Sequence, residues 1–299
     1  MSEETYKVVL SGASGMLGTA LRRALSARQT PALQLVRGTP ASSSQLAWNP
    51  EADPAIADSD ALEGLAAAVH LSGASVAGRR WTTDYKQELA VSRVQSTQAL
   101  ARLLASLRHP PQTLLVASAV GLYGDRGEEL LDESSLAGAG FLAQLCKEWE
   151  AAAQPAADAG IRVVNLRFGV VLGRGEGALA AMLPAFRLGL GGRLGTGRQW
   201  MSWISLQDAI GAILFAIDTL GLAGPVNLTA PNPVRNAEFT HVLGHQLNRP
   251  TVLPVPATAL RLAFGQMADE ALLAGARVVP QKLMAAGFSF THATIDQAL

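Results

Sequence analysis

The sequence predicts an α/β protein built on a doubly wound parallel sheet, with a second, smaller α/β lobe at the C-terminal end. Short apolar runs alternate with helical patterns through the first half of the chain. A glycine-rich turn joins the first apolar run to the first helix, and prolines become frequent beyond residue 230. Strands that alternate with helices are typical of βαβ units, whose parallel sheet is covered on both faces.

The elements follow in order along the chain. The predicted strands are residues 7–11, 33–36, 67–72, 113–118, 162–168 and 226–228. The predicted helices are residues 15–27, 83–107, 141–159 and 205–219, and a glycine-rich loop covers 189–197. We therefore expect a main domain over residues 1–230 and a small C-terminal domain over residues 231–299, with segment 174–200 contributing to the smaller lobe.

Composition excludes several functional classes. The 299 residues carry 24 basic and 24 acidic side chains, so the formal net charge is zero and offers no nucleic-acid signature. The chain is 49% hydrophobic and 16% charged, which argues against disorder. No stretch of 18 residues lacks a charge, the start does not resemble a secretion signal, and Cys146 is the single cysteine. We expect a soluble, cytoplasmic protein that acts on a small molecule, without a nucleic-acid or membrane partner.

The strongest local motif is the string SGASGMLG at residues 11–18, with spacing GxxGxxG between a predicted strand and a predicted helix. Glycines at these places permit a tight turn and close approach of the backbone to a pyrophosphate, and the free N–H groups of the helix start favour phosphate. The motif predicts a dinucleotide-binding Rossmann fold, although a strand-to-helix turn without a ligand is the alternative. The expected contacts are Gly12, Ser14, Gly15, Met16, Leu17 and Gly18.

The second strand ends in a cation rather than an acid. NAD sites usually place an Asp or Glu there for the ribose 2′-hydroxyl, yet no acidic residue occurs between Glu4 and Glu51. Arg37 follows the strand directly, and an arginine pairs well with a 2′-phosphate. We therefore predict NADP(H) as cofactor, with Arg37 as the main phosphate ligand; the alternative is an arginine that only solvates the surface.

Further strings resemble the extended short-chain dehydrogenases/reductases, the group of the nucleotide-sugar epimerases. HLSGA at 70–74 is similar to a segment that lines the cofactor in that group. Within it, the chain resembles the epimerase-like atypical reductases with a short C-terminal domain of unknown function. The strings that carry this resemblance are GRRW (78–81), SRV (92–94), WEAAA (149–153), RFGVVLG (167–173), GRQWMSWI (197–204) and NLTAPNP (227–233).

The resemblance implies an NAD-dependent epimerase/dehydratase-like domain that binds NADP(H), and it implies additional cofactor contacts. These are Leu71, Ser72, Gly73, Glu88, Arg93 and Val171. Arg93 lies in apolar company on the long helix, where an unpaired charge is expensive. We expect its anion to be either Glu88 or a cofactor phosphate or ribose.

The usual reductase centre is incomplete. Short-chain dehydrogenases use a Tyr four residues before a Lys, together with a nearby Ser, to move the proton. No Tyr-x-x-x-Lys occurs here, and alignment on Glu150 puts Leu142 and Cys146 at the two places. Ser118, at the end of a strand, is the remaining candidate. Tyr123 is a second candidate proton donor, with packing as its alternative role.

A substrate pocket is expected from arginines and tryptophans near strand ends and in the glycine-rich loop. Two tryptophans beside an arginine could clamp a planar or anionic substrate, or else anchor the loop. The candidates are Arg79, Arg80, Trp81, Arg167, Arg198, Trp200 and Trp203. The scattered histidines predict no metal site.

Three functional hypotheses follow. The first is an NADP(H)-dependent oxidoreductase that passes hydride to or from a carbonyl/hydroxyl carbon of an unidentified small molecule by a non-standard proton relay. The second is a non-catalytic protein that senses NADP(H), motivated by the missing Tyr/Lys pair. The third, a nucleotide-sugar epimerase, is weaker for the same reason. Homodimerisation is expected only by analogy with relatives.

Overall fold

The computed structural model describes residues 7–299, and a seven-stranded sheet forms its centre. Its strands, in chain order, are β1 (Val8–Ser11), β2 (Ala32–Val36), β3 (Gln45–Ala47), β4 (Ala67–His70), β5 (Thr113–Ala119), β7 (Arg162–Phe168) and β11 (Gly224–Leu228). Their spatial order is β11-β7-β5-β4-β1-β2-β3, and every neighbouring pair is parallel. The predicted doubly wound sheet is confirmed. Because all strands run the same way, their carboxyl ends meet at one edge, where open α/β sheets bind ligands.

Helices flank the sheet and bury its apolar side chains. Before residue 231 they are α1 (Met16–Ala27), α2 (Thr83–Ala90), α3 (Ser96–Ala105), α4 (Phe141–Ala151), α5 (Gln154–Asp158), α6 (Gly177–Arg187) and α7 (Leu206–Asp218). The helix predicted over residues 141–159 is divided in two, and Pro155 lies in the first turn of α5, where its missing N–H costs nothing. Strand β3 and helix α6 were not predicted.

The helix predicted over residues 83–107 is present as one continuous helical segment that contains a wide, π-helical turn. A π-helical segment, Val91–Gln95, joins α2 to α3. The Thr82 side chain caps its start by accepting the N–H of Tyr85. Arg93 lies within the wide turn, and such turns often occur at functional sites.

The C-terminal region contains short helices, as the frequent prolines predict, and it contributes one strand to each of two of the three small two-stranded sheets. Its helices are α8 (Asn236–Gln246), α9 (Ala257–Phe264), α10 (Gln281–Ala285) and α11 (Ile295–Ala298). The small strands are β6 (Leu130–Leu131), β8 (Val170–Leu172), β9 (Trp200–Met201), β10 (Trp203–Ser205), β12 (Val234–Arg235) and β13 (Arg277–Val278). They pair as β6 with β13, β8 with β10, and β9 with β12, so segments 130–131 and 200–201 join the later chain. None of the helices within residues 7–299 has the length and apolar character needed to cross a membrane.

Candidate functional site

The glycine loop after β1 has the close contacts that its spacing predicts. Gly12 has a positive φ of 72°, and a Cβ there would lie 2.7 Å from the carbonyl carbon of Leu71. A Cβ on Gly18 would lie 2.1 Å from the carbonyl oxygen of Gly12. Only glycine fits at these two positions, because the loop, the start of α1 and the end of β4 are in backbone contact.

The start of α1 presents free N–H groups at the loop. Gly15 is its N-cap, no side chain caps this helix, and both Ser14 and Gly15 are exposed. The Met16 side chain packs toward the loop after β8, since its sulfur lies 2.9 Å from where a Gly173 Cβ would stand. Leu17 packs against the core. The orphan N–H groups and the positive end of the helix dipole thus favour an anion here.

Arg37 lies at the carboxyl end of β2 and is exposed. It makes no hydrogen bond or ion pair with any residue in the range 7–299. Of the arginines on α1 and just after it, Arg22 donates to Gln34 at 2.5 Å and Arg28 pairs with Asp218 at 2.8 Å. Arg23 lines a different cleft, together with Leu172 and Ser205. Arg37 is therefore the cation at this strand end that remains available for a phosphate.

The segment after β4 and the wide turn of the long helix meet around Arg93. The Arg93 guanidinium is buried beneath Gly73, and its Nη2 donates to the carbonyl of Ala74 at 2.8 Å. Its central carbon also lies 5.1 Å from the centroid of the Trp149 ring. Burial lowers the pKa of Arg93.

The predicted alternative pair between Glu88 and Arg93 is wrong. Glu88 is exposed and pairs with Arg79 at 2.9 Å, whereas Arg93 points inward. The carboxylates of residues 7–299 give Arg93 no ion pair, so the remaining expectation is an anion from a ligand. Of the other positions implied by the resemblance, Leu71, Ser72 and Val171 are half-buried.

Ser118, the residue before the end of β5, lies in a buried ionic cluster. Its hydroxyl donates to Oε1 of Glu150 at 2.7 Å. Arg167, on the neighbouring strand β7, donates to the same carboxylate through Nε and Nη2, both at 2.8 Å. Burial alone would lower the pKa of Arg167, but these hydrogen bonds outweigh burial and raise it. Arg167, predicted as a substrate residue, is instead held inside the protein by a carboxylate.

Tyr123 is completely buried behind this cluster. Its hydroxyl donates to Oδ1 of Asn227 at 2.7 Å and accepts from Nη1 of Arg167 at 2.9 Å. Burial raises the pKa of Tyr123. The structure therefore gives Tyr123 the packing role that was its alternative, because both the ring and the hydroxyl are enclosed by protein.

Cys146 occupies the place of the family lysine, and no acid–base chemistry is available to it. Burial, with Glu150 nearby, raises the pKa of the thiol to about 11. It therefore stays a neutral thiol near pH 7 and packs with Leu122 and Leu131.

The predicted substrate residues after β4 lie near the surface of the long helix. Arg79 pairs with Glu88, and Arg80 donates to the carbonyl of Leu262 at 3.2 Å. Trp81 is buried, where its indole donates to the carbonyl of Val76 at 2.9 Å. Trp81 thus anchors the segment, and the two arginines remain exposed.

The predicted pair of clamping tryptophans is not formed. Trp203 is completely buried, and its indole donates to the carbonyl of Asn232 at 3.1 Å. Trp200 is half-buried and lies beside Arg198 in a surface cleft, beneath the guanidinium groups of Arg235 and Arg277. The alternative of loop anchoring applies to Trp203, since side chains three residues apart in extended chain point to opposite sides.

Several site residues were not predicted. Glu150 and Asn227 complete the buried cluster, and Glu128 and Arg235 line the cleft beside Trp200. The position of Glu150 four residues after Cys146 on one helix face was a usable signal for the first. The other three depend on contacts between distant segments. In the part of the chain from residue 7 onward, no three His, Cys, Asp or Glu side chains gather in a way that could hold a metal ion.

Comparison with known proteins agrees with this architecture. Residues 8–228 match the model of the NAD dependent epimerase/dehydratase family, and residues 255–299 match a domain of unknown function, DUF1731. The chain belongs to the NAD dependent epimerase/dehydratase family. The epimerase family protein Mb2239 of Mycobacterium bovis is 49% identical over 98% of this chain and 96% of its own length.

Two solved structures superpose over nearly the whole chain. The crystal structure of human epimerase family protein SDR39U1 (isoform 2) with NADPH has a TM-score of 0.90 at 33% identity, covering 97% of each chain. The UDP-glucose 4-epimerase of Thermus thermophilus, in complex with NAD, has a TM-score of 0.74 at 18% identity over 97% of each chain. The second likeness concerns the fold alone.

Proposed function

We propose that this family member binds NADP(H) and works as an oxidoreductase that transfers hydride to or from a carbonyl/hydroxyl carbon of a small molecule. The observation that carries the proposal is the backbone cradle of Gly12 and Gly18, together with the exposed Arg37 at the end of β2, which has no partner among residues 7–299. The human relative was crystallised with NADPH, which agrees with the predicted phosphorylated cofactor.

The residues present fit such a cofactor. Side chains at Gly12 or Gly18 would collide with backbone, so the loop leaves its N–H groups open to a pyrophosphate. Arg37 would hold the 2′-phosphate, and its fork of donors suits that dianion. Gly73 and the buried Arg93 would line the inner part of the site, where a ligand anion would supply the ion-pair partner that no carboxylate of residues 7–299 provides.

The bound nicotinamide would supply the hydride chemistry, and the chain must supply the proton. Ser118 lies at the carboxyl end of β5, and it already directs its proton to Glu150 at 2.7 Å. In the oxidising direction, Ser118 Oγ would accept the proton of the substrate hydroxyl while passing its own to Glu150. The reverse transfer would protonate the oxygen of a reduced carbonyl.

Arg167 keeps Glu150 in place for this role. Two of its nitrogens hold both carboxylate oxygens, and Tyr123 in turn holds the guanidinium. Tyr123 and Arg167 thus act as positioning residues in the proposal, while Ser118 and Glu150 move the proton. This arrangement would replace the Tyr/Lys pair, which the sequence lacks.

The second candidate is a protein that binds NADP(H) and signals through a partner without turnover. The observation that favours it is the complete burial of Tyr123, with Ser118 already bonded inside the protein. A nucleotide-sugar epimerase remains a weaker proposal, because the usual catalytic pair is absent. We also propose a homodimer, which light scattering of the purified chain would test.

Turnover assays separate the first two candidates. Purified protein is incubated with NADPH and a panel of aldehydes, ketones and keto acids, and absorbance at the NADPH band is followed. The oxidoreductase predicts oxidation above background for some member, lost in Ser118→Ala and in Glu150→Gln. The exposed Ser106→Ala variant, a serine on a different surface, should keep full activity. Absence of turnover across the panel, with intact NADPH binding, would favour the sensor.

A further inference from the structure

A surface cleft lies next to the loop that leaves Tyr123. It has a volume of about 250 Å³ and is formed by four distant segments of the chain, at residues 125–128, 198–200, 235 and 273–275. Its charged lining residues are Asp125, Glu128, Arg198 and Arg235, and Trp200 forms part of its wall. The cleft shares no residue with the glycine loop or with Arg37, so it is a separate site from the cofactor cradle.

Positive charge is concentrated around Trp200. The guanidinium carbons of Arg235 and Arg277 lie 4.3 and 4.7 Å from the centroid of its ring, and Arg198 is exposed beside it. Protein cations already cover the indole, so the recognition available here is that of an anion rather than the stacking of a planar ring. The Nε of Arg277 is buried and lacks a hydrogen-bond partner among the described atoms.

The carboxylate of Glu128 shows which chemical group the N–H donors of Arg235 and Trp200 bind. Nη2 of Arg235 contacts its two carboxylate oxygens at 2.7 and 2.6 Å, and the indole N–H of Trp200 donates to it at 3.2 Å. The hydrogen bond from Arg235 is the largest cause that lowers the pKa of Glu128. The Glu128 side chain is nevertheless 66% exposed, unlike the buried carboxylate of Glu150. An ion pair this exposed contributes little stability and is easily exchanged.

The loop around Glu128 can move its carboxylate away at small cost. Gly124 and Gly127 both have positive φ, at 64° and 58°. A Cβ on Gly127 would meet nothing within 4 Å, so the loop is unpacked at that point. The same loop begins directly after Tyr123, which connects the cleft to the buried cluster of Ser118 and Glu150.

We propose that this cleft binds an oxyanion of the substrate, a carboxylate or a phosphate, through Arg235, Arg198 and the indole N–H of Trp200. Glu128 competes with that oxyanion for the same donors. The inference rests on the proposed oxidoreductase function and adds the class of substrate: a carbonyl or hydroxyl compound that carries an acidic group.

Direct binding of small anions tests the proposal without turnover or cofactor. Succinate and inorganic phosphate are titrated into the full chain at constant ionic strength, with tryptophan fluorescence and calorimetry as readouts. Dimethyl succinate serves as the uncharged control, and comparison of the two anions distinguishes a carboxylate site from a phosphate site.

Two glutamates of the same loop provide a matched pair of variants. Glu128→Gln removes the competing charge and should tighten binding of at least one anion by about two- to fivefold. Glu129→Gln removes a charge that pairs with Arg126 outside the cleft and should leave binding unchanged. Arg235→Ala should abolish binding, and thermal melting checks that each variant is folded.

The proposal is overturned if Glu128→Gln binds neither anion more tightly than Glu129→Gln does, or if Arg235→Ala retains the affinity of the parent chain. These titrations contain no nucleotide, so their failure would leave NADP(H) binding intact. Conversely, a chain that binds succinate or phosphate here but not NADPH would refute the proposed function and not this cleft.

Discussion

The substitution Glu150→Gln tests the buried cluster most sharply. Glu150 accepts hydrogen bonds from Ser118 and from two nitrogens of Arg167, at 2.7, 2.8 and 2.8 Å. The Arg167 and Glu150 side chains are only 8% and 13% exposed, so solvent cannot replace the lost charge. Breaking a buried ion pair by removing one partner costs about 3–5 kcal/mol. Glutamine keeps one acceptor oxygen, so we expect a loss near the lower end, about 3 kcal/mol.

The assay is urea unfolding followed by tryptophan fluorescence and circular dichroism. Glu148→Gln is the matched control, because Glu148 is exposed on the same helix and accepts a hydrogen bond from Gln144; its effect should stay within about 0.5 kcal/mol. The double variant Glu150→Gln/Arg167→Met should be less destabilised than the sum of its single variants, since it removes both charges. A loss below about 1 kcal/mol for Glu150→Gln would refute the reasoning.

Three further predictions concern other parts of the structure. Burial lowers the pKa of His70 to about 4, so protonation of this side chain is less favourable in the folded chain than in the unfolded one. The free energy of unfolding should therefore fall by about 3 kcal/mol as the pH drops from 6.5 to 4. In pH-dependent unfolding, His70→Gln should remove this slope, whereas the exposed His245→Gln should keep it. Cys146 should react with a disulfide reagent at pH 8 only as fast as the protein unfolds, and rapid labelling of the folded chain would contradict its burial. Gly18→Ala should lower the free energy of unfolding by at least about 2 kcal/mol and abolish NADPH binding, because the new Cβ meets a carbonyl oxygen at 2.1 Å. A Cβ on Gly38 would meet nothing within 4 Å, so Gly38→Ala should leave both the melting temperature and the NADPH titration unchanged.

The sheet could be predicted because its pattern is local. Buried parallel strands appear as short apolar runs, and the predicted strand over residues 162–168 has the bounds of β7. The glycine loop was predictable for the same reason, since Gly12 and Gly18 need only the strand before and the helix after them. Strand β3 has three residues, too few to show a periodicity, and α6 contains Pro184, which disguises its helical pattern.

The partners of the charged side chains could not be predicted, because they lie far apart in sequence. Arg167 lies near the carboxyl end of a strand that the sequence predicts, where ligands bind in open α/β sheets. Its partner Glu150 lies on α4, and only the packing of α4 against the sheet brings the two side chains together. The same holds for Arg235 and Glu128, which are separated by 107 residues. The sequence suggested that Trp203 could contact a substrate, and only the pairing of β8 with β10 shows that its side chain lies in the core.

The most direct test of the central claim is calorimetric titration of the folded chain with NADPH and with NADH. The cradle and the exposed Arg37 predict that NADPH binds and that its affinity exceeds that of NADH by about tenfold or more. Arg37→Ala should remove most of this preference while leaving the weaker binding of NADH unchanged. If neither nucleotide binds, or if Arg37→Ala retains the full preference for NADPH, the proposed cofactor site is wrong.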